Sequence, residues 1–234
     1  MRAVIVTDPP RADLAHVDAL AAHGVATVHE ALGRTGFLGP HLRPAYPGAR
    51  IGGTAVTALC WPGDNLMIHA AVEQCGPGDV LVVTTTSPST DGMFGELFAT
   101  ALQTRGVRGV VIEAGVRDVA ELQAMGFPAW SVAISAQGTV KATAGSVNVP
   151  VVVGGHVVHP GDAILADDDG VLCVPRREVA GAVAAAQART DKEQATRAAF
   201  RDGELGLDRY RLRGTLKDLG VEYVTAHEFA RTES

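Results

Sequence analysis

Asp79-Val-Leu-Val-Val-Thr-Thr85 and Gly109-Val-Val-Ile-Glu113, with Gly95-Glu-Leu-Phe-Ala-Thr-Ala-Leu-Gln-Thr104 between them, decide the fold of this 234-residue chain. The two flanking runs are continuously apolar and rich in β-branched residues, the pattern of strands buried on both faces. The middle stretch predicts a helix over 95–104, ended by Gly106. A strand, loop, helix and strand of this length make a parallel βαβ crossover. In parallel sheets ligands bind beyond the carboxyl ends of the strands. The first strand delivers the loop 86–94 and the opening of the helix, and the second delivers Glu113-Ala-Gly-Val-Arg-Asp118. Two neighbouring strand ends thus bring Asp91, Gly95, Glu96, Arg117 and Asp118 to one crevice.

Outward from this unit, apolar spacing predicts a helix over 13–23. A second helix is expected to start at Thr27, capped with Glu30 three residues on. A strand over 50–59 and a helix over 65–75 precede the crossover. A helix over 119–125 and a strand over 129–134 follow it. Short strands are expected at 149–153, 157–158, 163–166 and 170–174, separated by Gly, Pro and Asp turns. An Ala-rich helix is expected over 176–201. The tail, 205–230, reads as a second helix and a short extended end. The organisation is an α/β domain over 1–175 and a helical arm over 176–234, an arm with little core of its own that is expected to pack at a subunit interface.

Composition narrows the function classes. The formal net charge of -6 argues against nucleic acid or an anionic membrane as the main partner. Arg209, Arg211 and Arg213 read as a solvated face. No apolar stretch reaches membrane-spanning length and no signal-peptide pattern opens the chain, so a soluble, cytoplasmic protein is expected. Cys60, Cys75 and Cys173 form no CxxC pair and read as reduced thiols, two of them buried.

The chemistry-bearing residues cluster in the crossover. The stretch Asp91–Phe98 opens a helix whose free N–H groups suit a carboxylate or phosphate, and Gly95 lets a ligand approach the backbone. Asp118 is a hard oxygen ligand suited to Mg²⁺ or Mn²⁺. Arg117 can neutralise an enolate or carboxylate. The plain alternative is a surface ion pair beside a helix N-terminus. His29-Glu30 and Asp167-Asp-Asp-Gly170 are weaker metal candidates. His156 and His159 lie in a Gly/Pro hairpin and read as surface residues. Ser87 and Ser89 lack a nucleophile elbow. Gly52-Gly53 and Gly154-Gly155 do not fit a dinucleotide fingerprint.

Gly115-Val-Arg-Asp118 after a buried strand, with Gly95-Glu96-Leu97 opening the preceding helix, resembles the RraA-like family. Within that family the chain is similar to the 4-carboxy-4-hydroxy-2-oxoadipate / 4-hydroxy-4-methyl-2-oxoglutarate aldolases. Other marks are Ala26-Thr-Val-His-Glu-Ala31, Gly53-Thr-Ala-Val-Thr57, Pro62-Gly-Asp-Asn65 and Thr90-Asp-Gly92. Later ones are Gly138-Thr-Val-Lys-Ala-Thr143, Gly145-Ser-Val-Asn148, Ala166–Val171 and Gly206-Leu-Asp208. The resemblance implies a swivelling β/β/α domain assembled as trimers or hexamers, with sites between subunits. It implies a Mg²⁺- or Mn²⁺-dependent class II pyruvate aldolase acting on a small 2-oxo acid, with oxaloacetate decarboxylation as a side activity. By position it makes Asp118 the metal ligand and Arg117 the contact to the enolate oxygen. The amides around Gly95, Leu97 and Phe98 then cradle the pyruvate carboxylate. Glu96 and Glu193 are the acids that order a catalytic water, Glu96 standing where the family pattern has an Asp and Glu193 coming from a neighbouring subunit.

Three rival readings remain, one of them a relative tuned to another 2-oxo acid with decarboxylation as its main work. A class I aldolase would need a Schiff-base lysine, drawn from Lys141, Lys192 and Lys217. A non-catalytic protein-binding regulator, similar to the regulator of ribonuclease E activity, would need no metal.

Overall fold

The computed structural model describes residues 3–232. Helices α1 (Leu14–Ala21) and α2 (Val25–Ala31) lead into β1 (Arg43–Pro44), β2 (Ile51–Cys60), α3 (Leu66–Gln74) and β3 (Asp79–Thr85). The crossover continues through β4 (Gly92–Phe94), α4 (Glu96–Gln103), β5 (Gly109–Val116), α5 (Val119–Ala124) and β6 (Ala129–Ile134). Five short strands follow: β7 (Ser146–Val147), β8 (Val151–Val153), β9 (His156–Val158), β10 (Ala163–Asp167) and β11 (Gly170–Val174). The chain ends in α6 (Val179–Arg201), α7 (Gly206–Arg209), α8 (Leu212–Asp218) and α9 (Ala226–Thr232).

The main sheet runs β1-β6-β5-β3-β2-β10-β11. Strands β2, β3, β5 and β6 are mutually parallel, as the crossover predicts, and antiparallel partners close both sides. Residues alternate between faces along each strand. Val110, Ile112, Ala114 and Val116 of β5 pack with Met67, Phe98, Leu102 and Leu122 of α3, α4 and α5. Val111 points the other way and packs with Val82, Trp130, Val151, Val153 and Val158 under the small β8-β9 sheet. Sheet, sheet and helices therefore stack as a β/β/α sandwich.

Several local expectations shift. The α2 N-cap is Gly24, at φ 85°, and the amide of Val25 is taken by Asp167 at 2.9 Å, so Thr27 lies inside the helix. A carboxylate distant in sequence does the capping. Asp168 likewise accepts the Gly48 amide at 2.9 Å. The acidic run 167–169 is thus tied into backbone capping, and among the described residues no group of three or more His, Cys, Asp or Glu could hold a metal. The short β1, β4 and β7 have too few residues for a periodic signal. All three cysteines are buried, where two were expected.

The chain divides into two compact units, one ending at Arg189 and the other beginning at Thr190. The boundary lies later than 175/176 because Val179, Ala182 and Ala186 of α6 join the core of the first unit, against Val17, Leu20 and Val174. The second unit is all helical. Among the described residues its tail has three short helices, α7 to α9, where one helix and an extended end were expected. Within it Phe200 and Tyr210 meet edge to face at 6.2 Å, and Arg209 pairs with Glu204 at 2.9 Å.

Candidate active site

Strand β5 ends in a sharp turn that sets the site. Asp118 sits at φ 57°, a left-handed conformation that Asp tolerates better than most residues, and occupies the N-cap position of α5. The turn sends its carboxylate to the opening of α4, where Oδ2 accepts the Glu96 amide at 3.1 Å. Arg117 Nε stands 3.4 Å from the same oxygen, and the Arg117 amide donates to the Phe94 carbonyl at 2.9 Å. Oδ1 of Asp118 carries no hydrogen bond or ion pair among the described residues. With about a third of the side chain exposed, it is an open hard-oxygen donor.

Gly95 makes this closeness possible. Its φ of -162° is ordinary extended backbone, so the requirement is space and not conformation. A Cβ there would collide with Asp118 Oδ2 and stand 2.9 Å from Arg117 Cγ.

The first turn of α4 is free to bind. Glu96 spends its amide on Asp118, and the first intrahelical bond is Ala99 to the Gly95 carbonyl at 3.1 Å. The Leu97 and Phe98 amides find no acceptor among the described residues, as expected for the first amides of a helix. They border a cavity of about 400 Å³ together with Gly95 and Arg117. Phe98 is seated by stacking on Phe94 at 5.7 Å and by a tilted ring contact with His69 at 4.4 Å, while Leu97 is 75% exposed.

The expected site residues do not all converge. Gly95, Leu97, Phe98, Arg117 and Asp118 do. Glu96 turns its carboxylate back along α4, where the Thr100 hydroxyl donates to it at 2.8 Å. Asp91 faces Gly63. Glu193 lies on α6 in the second unit. Glu113 belongs to the other face of the sheet because strand neighbours alternate. There it accepts from Thr84 at 3.0 Å and from the Gly154 amide at 2.9 Å, and pairs with His41 at 3.2 Å, in a separate cleft of about 630 Å³. His29 is anchored to the Thr35 carbonyl at 3.2 Å and packs on Phe37.

The structure adds a wall that spacing does not reveal. Asn65, His69 and Lys141 line the same cavity as Arg117. Buried Asp64 pins the loop that carries Lys141: its carboxylate accepts the amides of Leu66, Ala142 and Thr143 at 2.9, 2.8 and 2.7 Å. Burial alone would raise the Asp64 carboxyl, but these amides, with the Thr143 hydroxyl, outweigh it and hold it below the usual carboxylate value. His69 is pushed below the usual imidazole value by burial and by the Lys141 charge. Motifs 62–65 and 138–143 are both visible in the sequence, but their meeting across the chain is not.

The family model described as RraA-like, Aldolase/RraA, matches residues 25–173. The chain belongs to the RraA-like family. A relative from Burkholderia multivorans named "Putative 4-hydroxy-4-methyl-2-oxoglutarate aldolase" is 37% identical over 158 residues, 68% of this chain and 90% of its own length. The 4-hydroxy-4-methyl-2-oxoglutarate aldolase of Thermus thermophilus is 33% identical over 112 residues, 48% of this chain and 68% of its own length. Among solved structures, Streptomyces coelicolor RraAS2, titled an unusual member of the RNase ES inhibitor RraA protein family, matches with a TM-score of 0.72. It is 27% identical and covers 81% of this chain and 99% of its own. The RraA-like match spans α2 to β11 and so contains every residue lining the cavity, while α6 to α9 lie beyond it. Among the described residues no helix is long and apolar enough to cross a membrane.

Proposed function

We propose that this RraA-like chain is a divalent-metal-dependent pyruvate aldolase. Its substrates are 4-hydroxy-2-oxo diacids: 4-carboxy-4-hydroxy-2-oxoadipate, cleaved to pyruvate and oxaloacetate, or 4-hydroxy-4-methyl-2-oxoglutarate, cleaved to two pyruvates. The observation that carries this reading is the cavity lined by Gly95, Leu97, Phe98 and Arg117, two of them with unpaired amides, and joined through Arg117 to the neighbouring hollow that Asp118 lines. Positive charge, free amides and a hard anionic donor are what a 2-oxo acid and its enolate need. The names of the relatives support the same reaction class.

Asp118 fits Mg²⁺ or Mn²⁺ as a single carboxylate ligand, since Mg²⁺ keeps several waters and binds through one or two carboxylates. When bound, the ion acts as a Lewis acid toward the 2-oxo group. The Leu97 and Phe98 amides hold the pyruvyl carboxylate. Arg117 binds the 2-oxo oxygen and takes up the negative charge that grows there. A water held by Glu193 of a neighbouring copy in a trimer or hexamer, or by Glu96 once its carboxylate leaves Thr100, accepts the proton of the C4 hydroxyl. The C3–C4 bond then breaks, its electron pair passing to C3 and C4 becoming a carbonyl carbon. Protonation at C3 releases pyruvate. Oxaloacetate decarboxylation forms the same enolate and is the expected side activity. The setting is cytoplasmic catabolism of aromatic acids. A Schiff-base mechanism is disfavoured because Lys141 is exposed, whereas such lysines are activated by desolvation.

Pyruvate release from a panel of 4-hydroxy-2-oxo acids tests the proposal. Turnover should vanish with EDTA and return with Mg²⁺ or Mn²⁺, and borohydride with pyruvate should trap no lysine. EDTA-resistant turnover or a trapped lysine overturns the mechanism. No pyruvate from any diacid overturns the activity and favours the regulator reading that the RraA names carry.

A further inference from the structure

Glu113 is the one charged member of the segment 113–118 that the aldolase reading leaves unused. Its side chain, 28% exposed, sits in a cleft of about 630 Å³ at the carboxyl ends of β3 and β5, larger than the aldolase cavity of about 400 Å³. Both the size and the place are those of a small-molecule site. The β8-β9 hairpin closes one side, with Val152 on the wall and the Gly154 amide on Glu113. Among the described residues no Lys or Arg lines this cleft, whereas Arg117 and Lys141 line the aldolase cavity. The two spaces therefore differ in the sign of their charge.

The hydrogens around Glu113 are already committed. Oε1 accepts the Gly154 amide at 2.9 Å and meets His41 Nε2 at 3.2 Å, while Oε2 accepts the Thr84 hydroxyl at 3.0 Å. A carboxylate offers about four lone-pair positions, so one remains on Oε2. His41, its ion-pair partner, carries charge only when protonated. Thr84 spends its one hydroxyl hydrogen on Glu113, and Thr85 spends its own on the Ser87 carbonyl at 2.7 Å. Toward a ligand, both threonine oxygens can only accept. Glu113, Thr84 and Thr85 thus line one cleft with acceptor capacity to spare, and Val132 and Val152 add apolar surface.

Spare acceptors, a carboxylate and an apolar wall call for a ligand that donates hydrogens, carries positive charge and has a carbon skeleton. We infer that the Glu113 cleft is a binding site for a small primary alkylammonium. The ammonium donates to Glu113 Oε2 and to the Thr84 and Thr85 hydroxyl oxygens, and the alkyl part lies on Val132 and Val152. An ammonium has three hydrogens and no acceptor, which matches three acceptors, and its bond to a carboxylate is of the strong, charge-assisted kind. A divalent ion fits less well, because among the described residues no group of three or more His, Cys, Asp or Glu could hold one. A carboxylate ligand would meet Glu113 at like charge. The site is separate from the aldolase chemistry and does not rest on that reading.

The test titrates n-butylammonium into the full chain and follows binding by saturation-transfer NMR, with n-butanol as the neutral counterpart and butyrate as the anionic one. The ammonium should bind about ten-fold tighter than the alcohol or more, as one charge-assisted hydrogen bond predicts. Excess pyruvate with Mg²⁺ should not displace it. Glu113→Gln keeps the shape and removes the charge. It should weaken the ammonium by about ten-fold or more and leave n-butanol unchanged. No ammonium binding, equal binding of ammonium and alcohol, or unchanged ammonium binding in Glu113→Gln overturns the site. Displacement by pyruvate would move the ammonium to the aldolase cavity and overturns it too. Butyrate binding that survives excess pyruvate and is lost in Glu113→Gln overturns the ligand class. Thr85→Val, at the partly exposed end of β3, gives a second reading should Glu113→Gln fail to fold. It should weaken the ammonium several-fold and spare n-butanol, and an unchanged ammonium affinity there overturns the site as well.

Discussion

The Asp118 carboxylate accepts the Glu96 amide at 3.1 Å, joining the end of β5 to the start of α4 across 22 residues of sequence. One oxygen of Asp118 therefore closes a helix end while the other stays open, and substitutions separate the two roles. Asn keeps the left-handed conformation and an acceptor for the Glu96 amide. Asp118→Asn should melt within a few degrees of the unaltered protein yet lose more than 100-fold in metal-dependent pyruvate release. Asp118→Ala should lose the same activity and a further ~1 kcal/mol of stability with the cap. A pyruvate-coupled assay and thermal denaturation read both.

Arg117→Lys keeps a charge but loses the planar fork. A drop of about 10²–10³ in kcat/KM is expected, since a point charge does not replace a positioned guanidinium. The folded state should be little affected, because the Arg117 side chain is 45% exposed. Turnover close to that of the unaltered protein would remove Arg117 from the proposed chemistry.

Gly95→Ala adds one methyl group where Asp118 Oδ2 already lies. The backbone accepts alanine, so the strain falls on the Arg117–Asp118 pair. A cost of about 1–3 kcal/mol is expected, with activity falling further than stability. Chemical denaturation beside kinetics tests the split.

Asp64 gives the fold an acid sensitivity with a definite sign. Its carboxyl lies below the ordinary value in the folded state, so its contribution is complete above the unfolded carboxylate pKa and is lost as pH falls through the folded one. Asp64→Asn should reduce stability at neutral pH and flatten its decline between about pH 4 and the folded pKa. Urea midpoints across that range measure it. An unchanged slope would show that other carboxylates govern acid unfolding.

Burial pushes the thiols of Cys60 and Cys75 up to about 12, helped by Asp64 and Asp79, and raises Cys173 as well. The native protein should react negligibly with a disulfide reagent at pH 8, and denaturant should release all three thiols. Fast labelling of the folded chain would contradict the burial.

The crossover is legible in the chain because its strands are covered on both faces and need uninterrupted β-branched runs. Its first strand, Asp79–Thr85, and the strand that follows it, Ala129–Ile134, fall where the residue pattern places them. The RraA-like signature around Arg117 and Asp118 is legible as well, since it is contiguous. Thr27 misleads as a cap because Asp167, far along the chain, reaches the Val25 amide first. Glu113 and Asp118 look like one cluster in sequence, yet strand alternation sends Glu113 to the other face.

The sequence by itself determined the βαβ frame, the helix opening at Gly95 and the pairing of Arg117 with Asp118, because each follows from local periodicity or from adjacent residues. Only the tertiary structure decided which amide Asp118 caps, which oxygen it keeps open, and that Asn65 and Lys141 share a cavity with Arg117. Those outcomes depend on loops meeting across 22 to 79 residues of chain, held by single backbone bonds and buried carboxylates that leave no periodic trace.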